Sequence, residues 1–252
     1  MNNKKNLPKY SGPQIIANNR LMTKNEIKER FNNETASIYS QSDPLWIPEY
    51  KSAMNLLVTT LRRYCTEGAR FIDLGAGTGN ASLYALETIP TCSVILVDFS
   101  ENMLNEVEHV LAKYKGQFSI RNEDFHNVKF ESEAYDGVFS TFALHHTRSI
   151  EKYRKLYQKI YSWLKSNRAF ICCDVVEGDS QILTHINEQG WKAFLEAKNF
   201  TEQEIKKIFS NYHREDSPIS LRKHFDCLIQ VGFTKIDVLW KWYNFAMYIA
   251  VK

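Results

Sequence analysis

No apolar run in this 252-residue chain approaches the ~20 residues needed to cross a bilayer. The opening "MNNKKNLPKYSGP" also lacks the apolar segment of a secretory signal. The five cysteines, Cys65, Cys92, Cys172, Cys173 and Cys227, are odd in number and never spaced C-x-x-C, so they suggest neither a disulfide framework nor a zinc site. They read as reduced thiols of a cytoplasmic protein. Internal repeats and low-complexity blocks are missing as well. A formal charge of +3 is too small to argue for a nucleic-acid partner. The charge is uneven, however. Residues 1–30 hold seven Lys or Arg against Glu26 and Glu29, or +5, which leaves the rest of the chain near −2. Such a basic arm reads either as a solvated terminus or as an RNA- or lipid-seeking segment.

What is present is an alternation. Helical periodicity appears in "TKNEIKERFNNETASIYSQ" and again in "PEYKSAMNLLVTTLRRYC", where Met54, Leu57, Val58 and Leu61 share one face. From residue 70 short apolar strands alternate with helices: "RFIDLG", "NASLYALETI", "SVILVDF", "ENMLNEVEHVLAKYK", "FSIRNED", "YDGVFSTFAL", "SIEKYRKLYQKIYSWLK" and "RAFICCDVV". That spacing predicts βαβ units and a mostly parallel sheet. Residues 179–216 read as helices without strands, and the chain ends in a helix and two strands close enough to form an antiparallel hairpin. The expected divisions are a basic extension (1–30), N-terminal lid helices (31–66), an α/β core (67–178), a helical insertion acting as a lid (179–216), and a helix and hairpin completing the sheet (217–252).

The stretch "FIDLGAGTGN" sets three glycines, Gly75, Gly77 and Gly79, between a strand and a helix, with Asp73 two residues before the first. Glycines there let the backbone turn tightly and approach a ligand under the positive end of the helix. A dinucleotide site usually shows G-x-G-x-x-G; the G-x-G-x-G spacing after an acid resembles motif I of the class I S-adenosylmethionine (SAM) methyltransferases. That resemblance covers roughly residues 31–252 and implies a Rossmann-like α/β fold with one antiparallel C-terminal strand. It further implies SAM as cofactor and S-adenosylhomocysteine as product. Asp98, ending "SVILVD", would accept the ribose hydroxyls, with Phe99 beside it and Met103 near the adenine. Asp124 and Phe125 of "NEDF" would meet the adenine edge. Thr141, ending the fourth strand, and Tyr39 in the N-terminal segment would complete the cofactor site. Asp98 also has a simpler reading as a helix cap, although Ser100 is better placed for that role.

The tail, "NFTEQEIKKIF", "LIQVGFTKIDVLW" and "KWYNFAMYIAVK", is similar to that of a group holding small-molecule methyltransferases and the carboxy-SAM synthases of transfer-RNA modification. Two departures stand out. "LKSNRAF" replaces the usual Pro-Gly-Gly turn, with Asn167 the residue that tolerates a left-handed backbone. The insertion's "FLEAKNF" offers Glu196 and Lys198 but no arginine to hold a carboxy-SAM carboxylate.

Methyl transfer from a sulfonium needs alignment and exclusion of water, and a base only where the acceptor must lose a proton. His145 and His146, beyond the fourth strand, are the candidates, with His146 further toward the acceptor side. The alternative is that one imidazole hydrogen-bonds a backbone carbonyl and orders the loop while the other is exposed. No metal is expected, since adjacent histidines rarely share an ion and no carboxylate cluster flanks them in sequence. Trp46, Trp242 and Phe245 either line an acceptor pocket or pack the core. Mixed charge on "KNEIKER" and "EQEIKKIF" describes solvated helix faces and disfavours a nucleic-acid groove. The expected function is transfer of a methyl group to a small, partly apolar molecule under a helical lid. The alternatives are a carboxy-SAM synthase-like or transfer-RNA-linked enzyme, or a SAM-binding protein without turnover. No membrane partner is expected, and a homodimer through the aromatic hairpin edge is one assembly the tail allows.

Overall fold

The computed structural model describes residues 21–33 and 45–252. Its seven apolar segments form one sheet: β1 (Arg70–Leu74), β2 (Ser93–Asp98), β3 (Phe118–Asn122), β4 (Tyr135–Thr141), β5 (Leu164–Val175), β6 (Lys235–Trp242) and β7 (Phe245–Val251). The order is β3-β2-β1-β4-β5-β7-β6. Neighbours are parallel except β7, which runs antiparallel to β5 and β6. This is the class I methyltransferase order, with the antiparallel C-terminal strand where it was expected.

Eight helices are described: α1 (Lys24–Asn33), α2 (Tyr50–Arg63), α3 (Asn80–Thr88), α4 (Glu101–Val110), α5 (Ile150–Trp163), α6 (Gln181–Ala197), α7 (Glu202–Glu215) and α8 (Leu221–Gln230). Helix α1 straddles the boundary expected at residue 30. Serine N-caps start α4, α5, α6 and α8, and Ser100 accepts the Met103 amide as the sequence suggested. A full capping box between Thr201 and Glu204 starts α7.

Apolar strands bury both faces of the sheet. One core joins α2, α3 and α4 with Trp191 and Leu195 of α6 against Phe71, Phe139 and Met247. The other joins α5 and α8 against Ile72, Phe170 and Tyr248. In register, Leu74 lies beside Val97 and Asp73 beside Phe139. The loops that follow β1, β2 and β4 therefore open at one edge. Asn167 takes φ 59°, the left-handed turn its residue type permits in place of Pro-Gly-Gly.

One expectation is corrected here. Trp242, expected to line an acceptor pocket or pack the core, lies on the sheet-edge strand, because β7 inserts between β5 and β6. Trp242 is half-buried and packs its ring edge-to-face on Phe194 of α6, 5.4 Å between centroids. The edge carries Lys235, Asp237 and Lys241 and a register shift between Val238 and Trp240, features that oppose strand addition. Among the described residues no helix is long and apolar enough to cross a membrane.

Candidate functional site

The three loop glycines do different jobs. Gly75 (φ 74°) crosses so close to the loop after β4 that a Cβ there would lie 2.2 Å from that of Ala143. Gly79 (φ 88°) packs on Leu96, Val107 and Leu111 and caps α3. At Gly77 (φ 54°) a Cβ would meet no atom within 4 Å, so its backbone faces open space. The loop is pinned to β2: Gly75 and Ala76 donate to the Val97 carbonyl at 2.8 and 3.1 Å, and Gly77 N–H donates to Asp98 Oδ2 at 2.9 Å. Asp98 Oδ1 accepts the Ser100 amide at 2.8 Å. Burial raises the Asp98 carboxyl, opposed by the Ser100, Gly77 and Phe99 amides.

Asp73 lies beneath the loop, fully buried, and accepts the Ser82 hydroxyl from α3 at 2.7 Å. Its Oδ1 has no hydrogen-bond partner among the described residues. Burial lifts its pKa to about 7 against the Ser82 hydrogen bond, with nearby Asp98 adding to the rise.

A cleft of about 740 Å³ opens over this loop, a size suited to a nucleoside-sized ligand and a small partner. Gly75, Gly77, Asp98, Phe99, Met103, Phe125, Thr141, His145, His146, Trp46 and Phe245 line it, as expected for a site. Asp73, Gly79, Asp124 and Trp242 do not. The first two support the loop from below, Asp124 Oδ1 takes the His126 amide at 2.9 Å, and Trp242 sits at the sheet edge. Tyr39 lies outside the described residues.

The far wall comes from elements that sequence distance concealed. Phe142, at φ 50°, is a bulky residue in the left-handed region, an outlier of the kind that clusters at working sites. Its amide is held by the Cys173 carbonyl at 2.8 Å, and its ring stacks on Tyr50 at 6.0 Å. Trp191 of α6 donates its Nε1–H to the Trp46 carbonyl at 2.8 Å and packs edge-to-face on Phe245 and Tyr212. From α7 and the turn after it come Lys207, Asn211, Tyr212, Glu215 and Asp216. Arg30 of α1 pairs with Glu215 at 2.5 Å, joining α1 to α7 beside the cleft.

The two histidines differ in setting. Asp174, ending β5, accepts the His145 backbone amide at 3.0 Å and its Nδ1–H at 2.5 Å. Burial alone would lower the His145 pKa, but the Asp216 and Asp174 carboxylates outweigh it and lift it to about 9. Burial and the neighbouring His145 charge hold His146 well below its ordinary value. The imidazole centroids are 4.2 Å apart, and Asp216 Oδ1 lies 3.4 Å from both His145 Nε2 and His146 Nδ1. Carboxylates thus do flank the pair. Reading the neighbours in sequence missed them, because Asp174 and Asp216 arrive 29 and 71 residues downstream of His145 through strand pairing and the α7 turn. An acid at the end of an apolar strand, "ICCD", was the available signal for Asp174.

These features fit SAM. A bare backbone at Gly77 and the carboxylate lone pairs left on Asp98, both lining the cleft, are groups that a polar adenosyl ligand can satisfy. Residues 71–167 match a family model described as a methyltransferase domain. The chain is similar to carboxy-S-adenosyl-L-methionine synthases of Nautilia profundicola, 23% identical over 88% of this chain and 94% of that one. It is likewise similar to the synthase of Campylobacter hominis, 26% identical over 91% and 97%. A phosphoethanolamine N-methyltransferase of Haemonchus contortus, solved with S-adenosylhomocysteine, shares the fold at TM-score 0.62 and 16% identity, over 89% of this chain and 60% of that one. The fold is that of the class I SAM-dependent enzymes. The chain is a SAM-dependent methyltransferase or a closely related enzyme, with SAM as its cofactor.

Proposed function

We propose that the protein transfers the methyl group of SAM to a small, partly apolar acceptor held between the glycine loop and the wall built from Phe142, Trp191, Tyr212 and Phe245. The observation that carries this reading is the one cleft bounded on one side by Gly77 and Asp98 and on the other by aromatic rings and two imidazoles. Gly75, Gly77, Asp98, Phe99, Met103, Phe125 and Thr141 hold the cofactor, and Asp73 fixes the loop from below. Bound SAM supplies an activated methyl on a sulfonium, which aromatic faces attract. The remaining work is alignment and exclusion of water. α6 and α7, with the segment before α2, serve as the lid, and the Trp191–Trp46 hydrogen bond ties them together. Where the acceptor carries a proton that must leave, His146 is placed to take it, with His145 held rigid by Asp174.

A second reading, formation of carboxy-SAM, draws support from relatives of that name along nearly their whole length. It calls for a cleft cation to hold a carboxylate. Lys207 and Arg30 line the cleft, and Arg30 is already engaged by Glu215. Mass spectrometry of the ligand carried through purification separates the two. SAM or S-adenosylhomocysteine, followed by methylation of a small acceptor in a screen, supports methyl transfer; a carboxylated sulfonium overturns it.

A further inference from the structure

We propose that His145, His146 and Asp216 form a binding site for a divalent transition-metal ion on the acceptor side of the cleft. The donor atoms are His145 Nε2, His146 Nδ1 and Asp216 Oδ1, all within 4.8 Å of one another. The carboxylate oxygen is equidistant from the two ring nitrogens at 3.4 Å. That separation is longer than the about 2.7–3.2 Å of a good N–H···O hydrogen bond. It equals the about 3.4 Å edge expected between donors that share a tetrahedral ion at about 2.1 Å.

Two further features make this a built site rather than a chance cluster. His145 donates Nδ1–H to Asp174 Oδ1 at 2.5 Å, and Asp174 is itself held by the His145 and Val175 amides at 3.0 and 2.8 Å. That carboxylate–histidine link is the outer-shell arrangement that sets a ligating imidazole's tautomer and aim, here turning Nε2 toward Asp216. The Ser217 amide donates to the His145 carbonyl at 2.9 Å, clamping the loop after α7 onto the turn that carries the histidines. Glu215 faces Arg30, so the two neighbouring acids serve different partners.

All three residues line the cleft, so an ion held by them would lie at its wall with room for a further ligand from the cleft. Two imidazoles and one carboxylate with an open position select Zn²⁺, Co²⁺ or Fe²⁺ over Mg²⁺ or Ca²⁺. Resting on the methyl-transfer reading, this assigns the acceptor to compounds that present an oxygen donor, such as a phenol, enol or hydroxy acid. In the loaded protein the ion, rather than the His146 imidazole, acidifies that oxygen.

The test uses full-length protein stripped with chelator and titrated with Co²⁺, read by visible absorption, with S-adenosylhomocysteine titrated into the same preparations. One Co²⁺ per chain is expected. Asp216→Asn and His146→Gln should each weaken binding at least tenfold, and Asp174→Asn, through the positioning of His145, by about 10–100-fold. S-adenosylhomocysteine affinity should stay within about threefold in these variants. Thermal melts check folding, and should Asp216→Asn melt early, His146→Gln, which sits at the cleft surface, decides. Absence of Co²⁺ binding while S-adenosylhomocysteine binds would overturn the proposal. So would binding unaffected by either ligand variant, or absorption from a cysteine–cobalt bond. Stoichiometric Co²⁺ lost in the variants, with no S-adenosylhomocysteine binding, supports the site and overturns the cofactor reading instead.

Discussion

Asp98 faces two ways, toward the glycine loop through Oδ2 and toward the start of α4 through Oδ1. Asp98→Ala should weaken S-adenosylhomocysteine binding by ~1.5–3 kcal/mol for each ribose hydrogen bond lost, roughly 10- to 150-fold by calorimetry. Unchanged affinity would place the ribose elsewhere. The loop glycines separate folding from binding. Gly75→Ala combines a forbidden overlap with a left-handed backbone and should cost about 2–5 kcal/mol in denaturant unfolding. Gly77→Ala should cost only about 1–2 kcal/mol of stability yet lose cofactor affinity, since its added methyl enters the cleft. His224, buried with its Nδ1 against the Tyr157 and Tyr248 hydroxyls, belongs to the core. Burial lowers its pKa to about 4, slightly countered by Asp174. The unfolded chain therefore takes up a proton near pH 6.5 that the folded one refuses until about pH 4. Stability should fall across that window by up to about 3 kcal/mol, and His224→Gln should flatten the fall in urea titrations. A variant with the wild-type slope would contradict this.

At the scale of elements, the strand–helix alternation was legible because it is local. β1 to β5 follow apolar runs, and each serine cap precedes its helix by one residue. The glycine-loop side of the cleft was legible for the same reason, since glycines and acids at strand ends are fixed by the chain immediately around them. The opposite wall of the cleft was not. Phe142, Asp174, Trp191 and Asp216 meet only because β4 pairs with β5 and α7 returns over the strand ends. Trp242 was misplaced because an aromatic strand reads alike at a pocket wall and at a sheet edge. Trp191→Phe keeps a ring against Phe245 but removes the hydrogen bond to Trp46. It should raise the acceptor KM by a factor of about 3–10, the weight of one hydrogen bond, with S-adenosylhomocysteine affinity little changed. An equal loss in both would mean that α6 acts on the cofactor directly.

For the molecule as a whole, one sheet serves two tasks. Its β1–β2–β4 end presents the glycine loop, and β5 and β7, with α6 and α7, build the aromatic wall of the cleft over the same edge. Conserving the first half while varying the second would let related enzymes keep SAM and change the reaction, which is why distant relatives can share the fold without sharing an acceptor. The five cysteines are free thiols, and among the described residues no helix is long and apolar enough to cross a membrane. The most direct measurement is calorimetric titration of the purified protein with SAM, S-adenosylhomocysteine and NADH in parallel. The expected result is micromolar binding of the two adenosyl-sulfur compounds and none of NADH. Binding of NADH without SAM would make the loop a dinucleotide cradle and contradict the cofactor assignment on which the proposed reaction stands.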